Sequence, residues 1–307
     1  MNLIPQFPNF IDFDNKVAES ATSFLYSFSE GVSEFSPISL FLDQPLLQYK
    51  VSQISDKTLV FSGIESGGYI PPLKGKSFFS IVGEIPFDYI SELFGQFHFW
   101  KSVTEKQKNS LIEKGLDSVY RLEEDRNNSE YVYSREKLAT LSGKSLHKKR
   151  NLVNNFETTY TPCVLPLDRS TCEDGLKVLE QWQRERNSQE DTDFQNCKLA
   201  LKSFCTQEYQ WMNSFLSGKV IYVTAVPVGF SIGEYVQQGK MYAVHFEKAI
   251  DAYKGVYQFL NKATVAALPE SVELINREQD LGDEGLRQAK MTYRPVDFIH
   301  KYIVYKV

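Results

Sequence analysis

The residues best suited to chemistry lie between positions 271 and 302, SVELINREQDLGDEGLRQAKMTYRPVDFIHKY. A short apolar strand, Val272 to Ile275, runs straight into Arg277, Glu278, Asp280, Asp283, Glu284, Arg287 and Lys290, with Gly282 and Gly285 among them. A folding core has no use for such charge directly after an apolar strand. A ligand site at a strand end does, because the sheet holds such loops rigid while their side chains converge. The competing explanation is a solvated helix. Glu284 stands at helix-neighbour spacing from Arg287 and Gln288, and acids in a first turn suit the helix dipole. A second concentration is of one sign. Between Lys137 and Phe156 there is no acid, yet Lys137, Lys144, Lys148, Lys149 and Arg150 are basic. Ser145 is placed to cap a helix whose buried side carries Leu146, Leu152, Val153 and Phe156. Three of the cations then fall in its first turns, where the exposed N–H groups already make the end positive. That arrangement points to a bound anion, with phosphate the obvious candidate, against the alternative of a solubilising surface.

The rest of the chain has to position these groups, and composition bounds how. Its 307 residues suffice for one large domain or two ordinary ones, and 42% hydrophobic with 24% charged residues specifies a globular protein. The 22 phenylalanines and 17 tyrosines favour sheet-rich packing. A formal net charge of −5 argues against a protein whose whole surface binds nucleic acid while leaving room for a local basic patch, and no DNA partner is expected. The cysteines at 163, 172, 197 and 205 form no CxxC pair, which favours buried thiols in a reducing compartment over disulfides or zinc, and no metal is expected. The opening MNLIPQFPNF lacks a signal sequence, and no stretch approaches the roughly 20 apolar residues of a membrane span, so a soluble, cytoplasmic protein is expected.

Periodicity supplies the elements. Residues 14–28 read as an amphipathic helix, 38–47 as a short apolar segment, and 48–54 and 58–64 as strands. Residues 65–68 form a turn, and a third strand starts at Tyr69-Ile70. Residues 77–94 are apolar and partly helical, 102–114 form a surface helix, and 118–122 a strand. Ser134 caps a helix through Leu141 that Gly143 stops. In the second half, strand 163–167 precedes a helix opened by Thr171 that turns Leu176, Leu179 and Trp182 inward. A polar loop at 187–193 and a helix at 196–216 follow. Strands at 220–225, 228–236 and 241–246, a helix at 253–268, the charged stretch and a closing strand at 300–307 complete the chain. This is the element order of the GNAT (N-acetyltransferase) fold. The expected fold class is α+β, with two tandem GNAT-like domains, 1–160 and 161–307, built on mixed, mostly antiparallel sheets.

Two charged segments, YSREKLATLSGKSLHKKRNLVNNF and INREQDLGDEGLRQAKMTYRP with HKYIVY, resemble the C-terminal domain family of lysylphosphatidylglycerol synthases, in its soluble stand-alone branch. The matching positions of the last motif are Gly285, Leu286, Arg287, Lys290, Tyr293, Pro295, Lys301 and Tyr302. A third match, HFEKAIDAYKGVYQFLN, brings in His245, Glu247, Lys248, Tyr253, Lys254 and Gly255. The resemblance covers nearly the whole chain. It implies tandem GNAT domains and kinship with Fem-type transferases, which use aminoacyl-tRNA as acyl donor. The membrane-embedded segment that precedes this domain in the full-length lipid-modifying enzymes has no counterpart here, which leaves the acceptor open. The glycine-rich loop with which an acetyl-CoA-using GNAT grips a pyrophosphate is reduced to Gly255.

Aminoacyl transfer from an ester needs an oriented nucleophile, a proton acceptor and a stabilised oxyanion. On this reading Glu247 or Glu278 takes the proton or binds the donor's α-amino group, and Asp280 is an equal amine clamp. Arg287, Lys290 and Lys248 hold phosphate or oxyanion, and Tyr253 acts as acid towards the leaving 3′-hydroxyl. Lys144, Lys148, Lys149, Arg150, Lys254, Asn276 and Arg277 are candidates for substrate or phosphate binding. His245 is a weaker candidate, and His147 and His300 lack partner spacing for a triad or metal. No permanently bound cofactor is expected. Aminoacyl-tRNA is the expected co-substrate, with tRNA as partner and a small molecule, peptide or lipid headgroup as acceptor. The alternatives are a CoA-dependent N-acyltransferase and a non-catalytic binding module.

Overall fold

The computed structural model describes residues 3–66, 70–186 and 191–307. The expected turn glycines Gly67 and Gly68, the strand start at Tyr69 and the loop residues 187–190 lie outside the described residues. The chain forms two compact units, Met1–Tyr131 with Gln279–Arg287 and Phe298–Val307, and Val132–Glu278 with Gln288–Asp297. The division therefore runs at 131/132 with two returning segments, and not as a single cut at 160/161.

The first unit carries a seven-stranded sheet in the order Ile11–Asp12, Lys50–Ser55, Thr58–Ile64, Ser77–Gly83, Phe99–Thr104, Lys301–Lys306, Tyr120–Glu124. All neighbours are antiparallel except 77–83 with 99–104. The helix Asn15–Phe28 is capped by Asp14, whose carboxylate accepts from the N–H groups of Lys16 and Val17, and it buries Val17, Ala18, Ala21, Phe24 and Leu25 at helical spacing. Phe79, Trp100, Ile81, Val103 and Val304 form part of the core. The closing strand is pinned by charge. The amine of Lys301 is buried between Glu130 (2.6 Å) and Glu34 (2.7 Å). Burial opposes its protonation, but the two carboxylates outweigh that and hold it charged.

The second seven-stranded sheet, most of it in the second unit, runs Asp297–Ile299, Glu130–Ser134, Leu274–Asn276, Met241–Ala249, Val226–Val236, Leu216–Val223 and Cys163–Pro166, in that order. Here too most neighbours are antiparallel, while 241–249 and 274–276 run parallel. Helices Cys172–Arg186, Thr192–Ser203 and Val256–Ala266 accompany the sheet, and helix His147–Tyr160 packs on the last of these through Phe156 and Phe259 (5.0 Å between rings). The expected strand–helix–helix–three-strand–helix–strand–helix order holds from 163 to 291.

Several local expectations change. Ser77–Gly83 is a strand, because a short apolar run buried along nearly its whole length has no period to separate it from a helix. The surface helix starts at Glu105, fixed by a reciprocal capping box between Thr104 and Gln107, and the preceding residues belong to a strand. The helix after Ser134 stops at Thr140 with Leu141 left-handed, ahead of Gly143. Helix 196–216 is interrupted, and Leu216 already opens a strand. Most consequential, Ser145 does not cap the basic helix. That helix starts at His147 behind Leu146, with no side chain accepting from its first N–H groups. The cysteines also depart from expectation. Cys172 and Cys205 are joined in a disulfide with Cα atoms 6.1 Å apart, while Cys197 is a buried thiol and Cys163 an exposed one. Sequence spacing could not show that the start of one helix and the end of the next meet.

Under oxidising conditions, replacing Cys172 and Cys205 together by alanine is expected to lower the unfolding free energy by about 4 kcal/mol, as closure of a loop of 33 residues predicts. In urea titrations the deficit should vanish in the presence of reductant.

Candidate functional site

The site of the second unit begins where two parallel strands part. Met241, Tyr242 and Ala243 pair with Leu274, Ile275 and Asn276. Leu274–Asn276 then ends, while Met241–Ala249 continues against Val226–Val236. Beyond this point Arg277 and Glu278 leave one strand while His245 and Glu247 continue on the other. The ladder slips between Ile232, opposite Phe246, and Gly233, opposite Val244, so His245 is the extra residue of a bulge. Bulges re-aim side chains, and this one brings His245 between two carboxylates. Its Nδ1 lies 2.7 Å from Glu278 Oε1 and its Nε2 2.8 Å from the buried Glu234. Burial works against a charged ring, but the Glu278 and Glu234 carboxylates outweigh it and push the pKa up to about 10. His245 is thus an imidazolium with both N–H groups donating. Glu278 Oε2 has no hydrogen-bond partner among the described residues, and the side chain retains 22% exposure.

Glu278 is held there by its backbone. Its φ is +57°, its N–H donates to Asn276 Oδ1 (2.8 Å), and its carbonyl accepts from Lys290 Nζ (3.2 Å). The same amine donates to the Arg277 carbonyl, and the Lys290 carbonyl accepts from the Tyr133 hydroxyl (2.9 Å). Arg277 reaches Glu247 Oε2 at 2.6 Å and lies over the Tyr293 and Tyr133 rings, 4.9 and 5.8 Å from their centroids. Asn261 Nδ2 supplies the other Glu247 oxygen (3.0 Å). Burial opposes the charge on Arg277, and Glu247 more than restores it.

Lys149 links this cluster to a cleft. Its amine stands 4.3 Å from the Tyr293 ring centroid, and its pKa is lowered by burial and by the charge of Arg277. The cleft, about 760 Å³, is lined by Lys144, His147, Lys148, Lys149, Arg294 and Met291 among others, and by no acid. It lies at the uncapped start of the basic helix, so backbone dipole and side chains favour an anion together.

The structure therefore gathers Glu247, Glu278, Asn276, Arg277 and Lys290 at the strand parting, and Lys144, Lys148 and Lys149 at the cleft. Lys290 serves there as a backbone clasp, with its amine spent on carbonyls. Other candidates fall elsewhere. Lys248 alternates to the opposite face of its strand, where it pairs with Asp193 and lies 4.1 Å from the Trp182 ring centroid. Tyr253 packs edge-on to Tyr160 (5.3 Å between rings), and Lys254 is exposed. Arg150 donates to the Leu141 and Gly143 carbonyls and closes the preceding helix.

Asp280 and Arg287 belong to the first unit, where they satisfy each other. Fully buried Asp280 accepts from Arg287 Nε and Nη2 (both 2.9 Å), Tyr131 (2.6 Å), Arg126 (3.2 Å) and the Gly282 N–H (2.9 Å). Burial opposes its charge, but these donors, led by Arg287, hold its carboxyl well below the usual range. A carboxylate so completely engaged does not clamp an amine; it is a structural hub.

Sequence reasoning passed over Glu234, Asn261, Tyr133 and Arg294, and gave Tyr293 only as a motif position. The signal for the first two was a lone polar residue in an apolar run, Glu234 in VGFSIGEYV and Asn261 on the apolar face of its helix. Among the described residues no group of His, Cys, Asp and Glu is placed to hold a metal. No helix among them is long and apolar enough to cross a membrane.

Residues 93–305 match the family described as phosphatidylglycerol lysyltransferase, C-terminal. The chain belongs to that family. A conserved protein of unknown function from Bacteroides thetaiotaomicron has a similar structure, with a TM-score of 0.83 and 25% identity over 97% of this chain and 99% of the other. The structure of L-PGS from Bacillus licheniformis gives 0.64 and 15% over 94% and 91%. A tandem GNAT protein from the clavulanic acid biosynthesis pathway gives 0.50 and 7% over 97% and 98%, a likeness of fold. Among curated proteins, an uncharacterised Mycoplasmoides gallisepticum protein is 27% identical over 176 residues, 57% of this chain. The chain spans about half (55%) of the length of that relative. As expected, this lysyltransferase-family chain is α+β with a GNAT-type fold.

Two outcomes are expected. His245 should remain protonated at neutral pH and titrate only near pH 10 by NMR. Its raised pKa contributes stability in full below its unfolded value of about 6.5, and that contribution is lost as pH rises towards 10. Asp280→Ala should destabilise the protein by about 3–5 kcal/mol in chemical denaturation, because it strands buried donors. With its pKa depressed, the Asp280 contribution is present above its unfolded value of about 3.9 and lost as pH falls below that.

Proposed function

We propose that this chain is an aminoacyltransferase that takes its acyl group from aminoacyl-tRNA and passes it to an amine or hydroxyl acceptor, whether small molecule, peptide or lipid headgroup. The observation that carries this reading is the half-engaged carboxylate of Glu278, held at a strand parting whose neighbouring cleft is lined by cations and no acid. The acceptor attacks the ester carbonyl, forming a C–N or C–O bond. Glu278 takes the proton lost by the nucleophile, and the bond to the tRNA 3′-oxygen breaks, with a proton returned to that oxygen. Arg277 and the backbone around it supply positive potential for the oxyanion. Lys144, Lys148, Lys149 and Arg294 bind backbone phosphates of the donor.

The family's lysyltransferase description supports the reaction class. The turn that would serve acyl-CoA keeps one glycine, Gly255, and it is packed tightly: a Cβ there would lie 2.6 Å from the Leu152 carbonyl oxygen of the basic helix. No permanently bound cofactor is needed, since the ester is already activated. With this donor the reaction is cytoplasmic, where the Cys172–Cys205 pair would face reducing thiols.

Incubation with a panel of radiolabelled aminoacyl-tRNAs should accelerate loss of the amino acid from at least one species. No binding and no loss across the panel would refute the reading. Glu278→Gln, which keeps an acceptor for His245, should lower turnover by about 10²–10⁴-fold with little change in tRNA affinity. The double change of Lys148 and Lys149 to alanine should reduce the slope of log affinity against log salt by about 1.5–2.

A further inference from the structure

Asn261 is out of place by the ordinary rules of packing. It sits in helix Val256–Ala266 among the buried Val256, Phe259, Leu260 and Val265, and it is only 1% exposed. A buried amide is tolerated when both of its halves are matched. One half is: Nδ2 donates to Glu247 Oε1 at 3.0 Å. The other is not, since Oδ1 is buried without a hydrogen-bond partner. Flipping the amide does not help, because it would turn the carbonyl oxygen onto the Glu247 carboxylate. The orientation is therefore fixed by charge. The Thr264 hydroxyl, one turn further along the helix, is hydrogen-bonded to Ser231 Oγ at 2.6 Å and makes no bond to Oδ1.

We propose that Asn261 Oδ1 accepts a hydrogen bond from the α-amino group of the aminoacyl donor. This rests on the aminoacyl-transfer reading and assigns its amino-acid subsite. An ammonium group brings three N–H donors and a positive charge. Asn261 offers the unfilled acceptor, beside the Glu247–Arg277 ion pair. Arg277 holds the second oxygen of Glu247 and keeps that carboxylate ionised. Glu247 and Arg277 each retain some exposure, 12% and 17%, so the pair touches solvent while Asn261 lies behind it. A donor lacking the amino group leaves Oδ1 unpaired. Discrimination against such a donor is the expected signature of a buried polar acceptor.

The test uses the whole chain and two non-hydrolysable probes. Both are tRNA with a 3′-amide-linked acyl group, one carrying the free α-amino group and the other hydrogen in its place. The wild-type chain should bind the amino form at least about tenfold more tightly, the range for a hydrogen bond to a charged group. Asn261→Leu should bring both probes to the affinity of the des-amino form, and Asn261→Ala serves the same purpose if the leucine variant does not fold. If the leucine or alanine variant keeps the tenfold preference, water and not the donor fills the site, and the assignment is overturned. Equal binding of the two probes by wild type overturns it as well. If neither probe binds, the aminoacyl-transfer reading falls and takes the assignment with it.

Discussion

The rest of the second unit depends on one geometric fact: a parallel strand pair that stops three residues in. While Met241–Ala243 and Leu274–Asn276 are laddered, their backbone groups satisfy each other. Where the shorter strand ends, the N–H and carbonyl groups of residues 277 and 278 need other partners. Asn276 Oδ1 and the Lys290 amine provide them. That substitution allows Glu278 to sit at φ +57° and aim its carboxylate at His245. The lysine is thus spent on the backbone that aims a carboxylate twelve residues earlier in the sequence.

The charged stretch performs two separate tasks, and burial tells them apart. Asp280 and Arg287 form a closed set with Arg126, Tyr131 and Gly282, which holds the loop of the first unit together. Glu278 and Arg277 lie in an open set, with solvent exposure and unfilled hydrogen-bonding capacity nearby. Both sets contain ion pairs at ordinary distances. What separates them is whether the protein has used up the lone pairs.

Much of the fold was legible because its signals are local. Helix Asn15–Phe28 announces itself through five buried apolar residues at helical spacing and an aspartate cap, and the hairpin at 216–236 through two largely apolar runs. The one-signed start of the basic helix was legible because like charges crowd an end that already repels them. Strand Ser77–Gly83 was not, since a run buried along nearly its whole length carries no period. The pairing of Cys172 with Cys205 was hidden in the same way, being a consequence of how two helices pack.

By itself the sequence determined the order of elements, the family, the concentration of charge at 277–290 and the one-signed helix start. These follow from spacing along the chain, which sets local hydrogen bonding and which side of an element is apolar. Only the tertiary structure decided which charges meet. It sent Lys248 to the far face of its strand, turned Lys290 into a backbone clasp, closed Asp280 within a set of donors and placed His245, Glu234 and Asn261 around the strand parting. The reason is that a side chain's role is set by which partners it exhausts. Those partners come from strands and helices far apart in sequence, whose register and bulges no local pattern specifies.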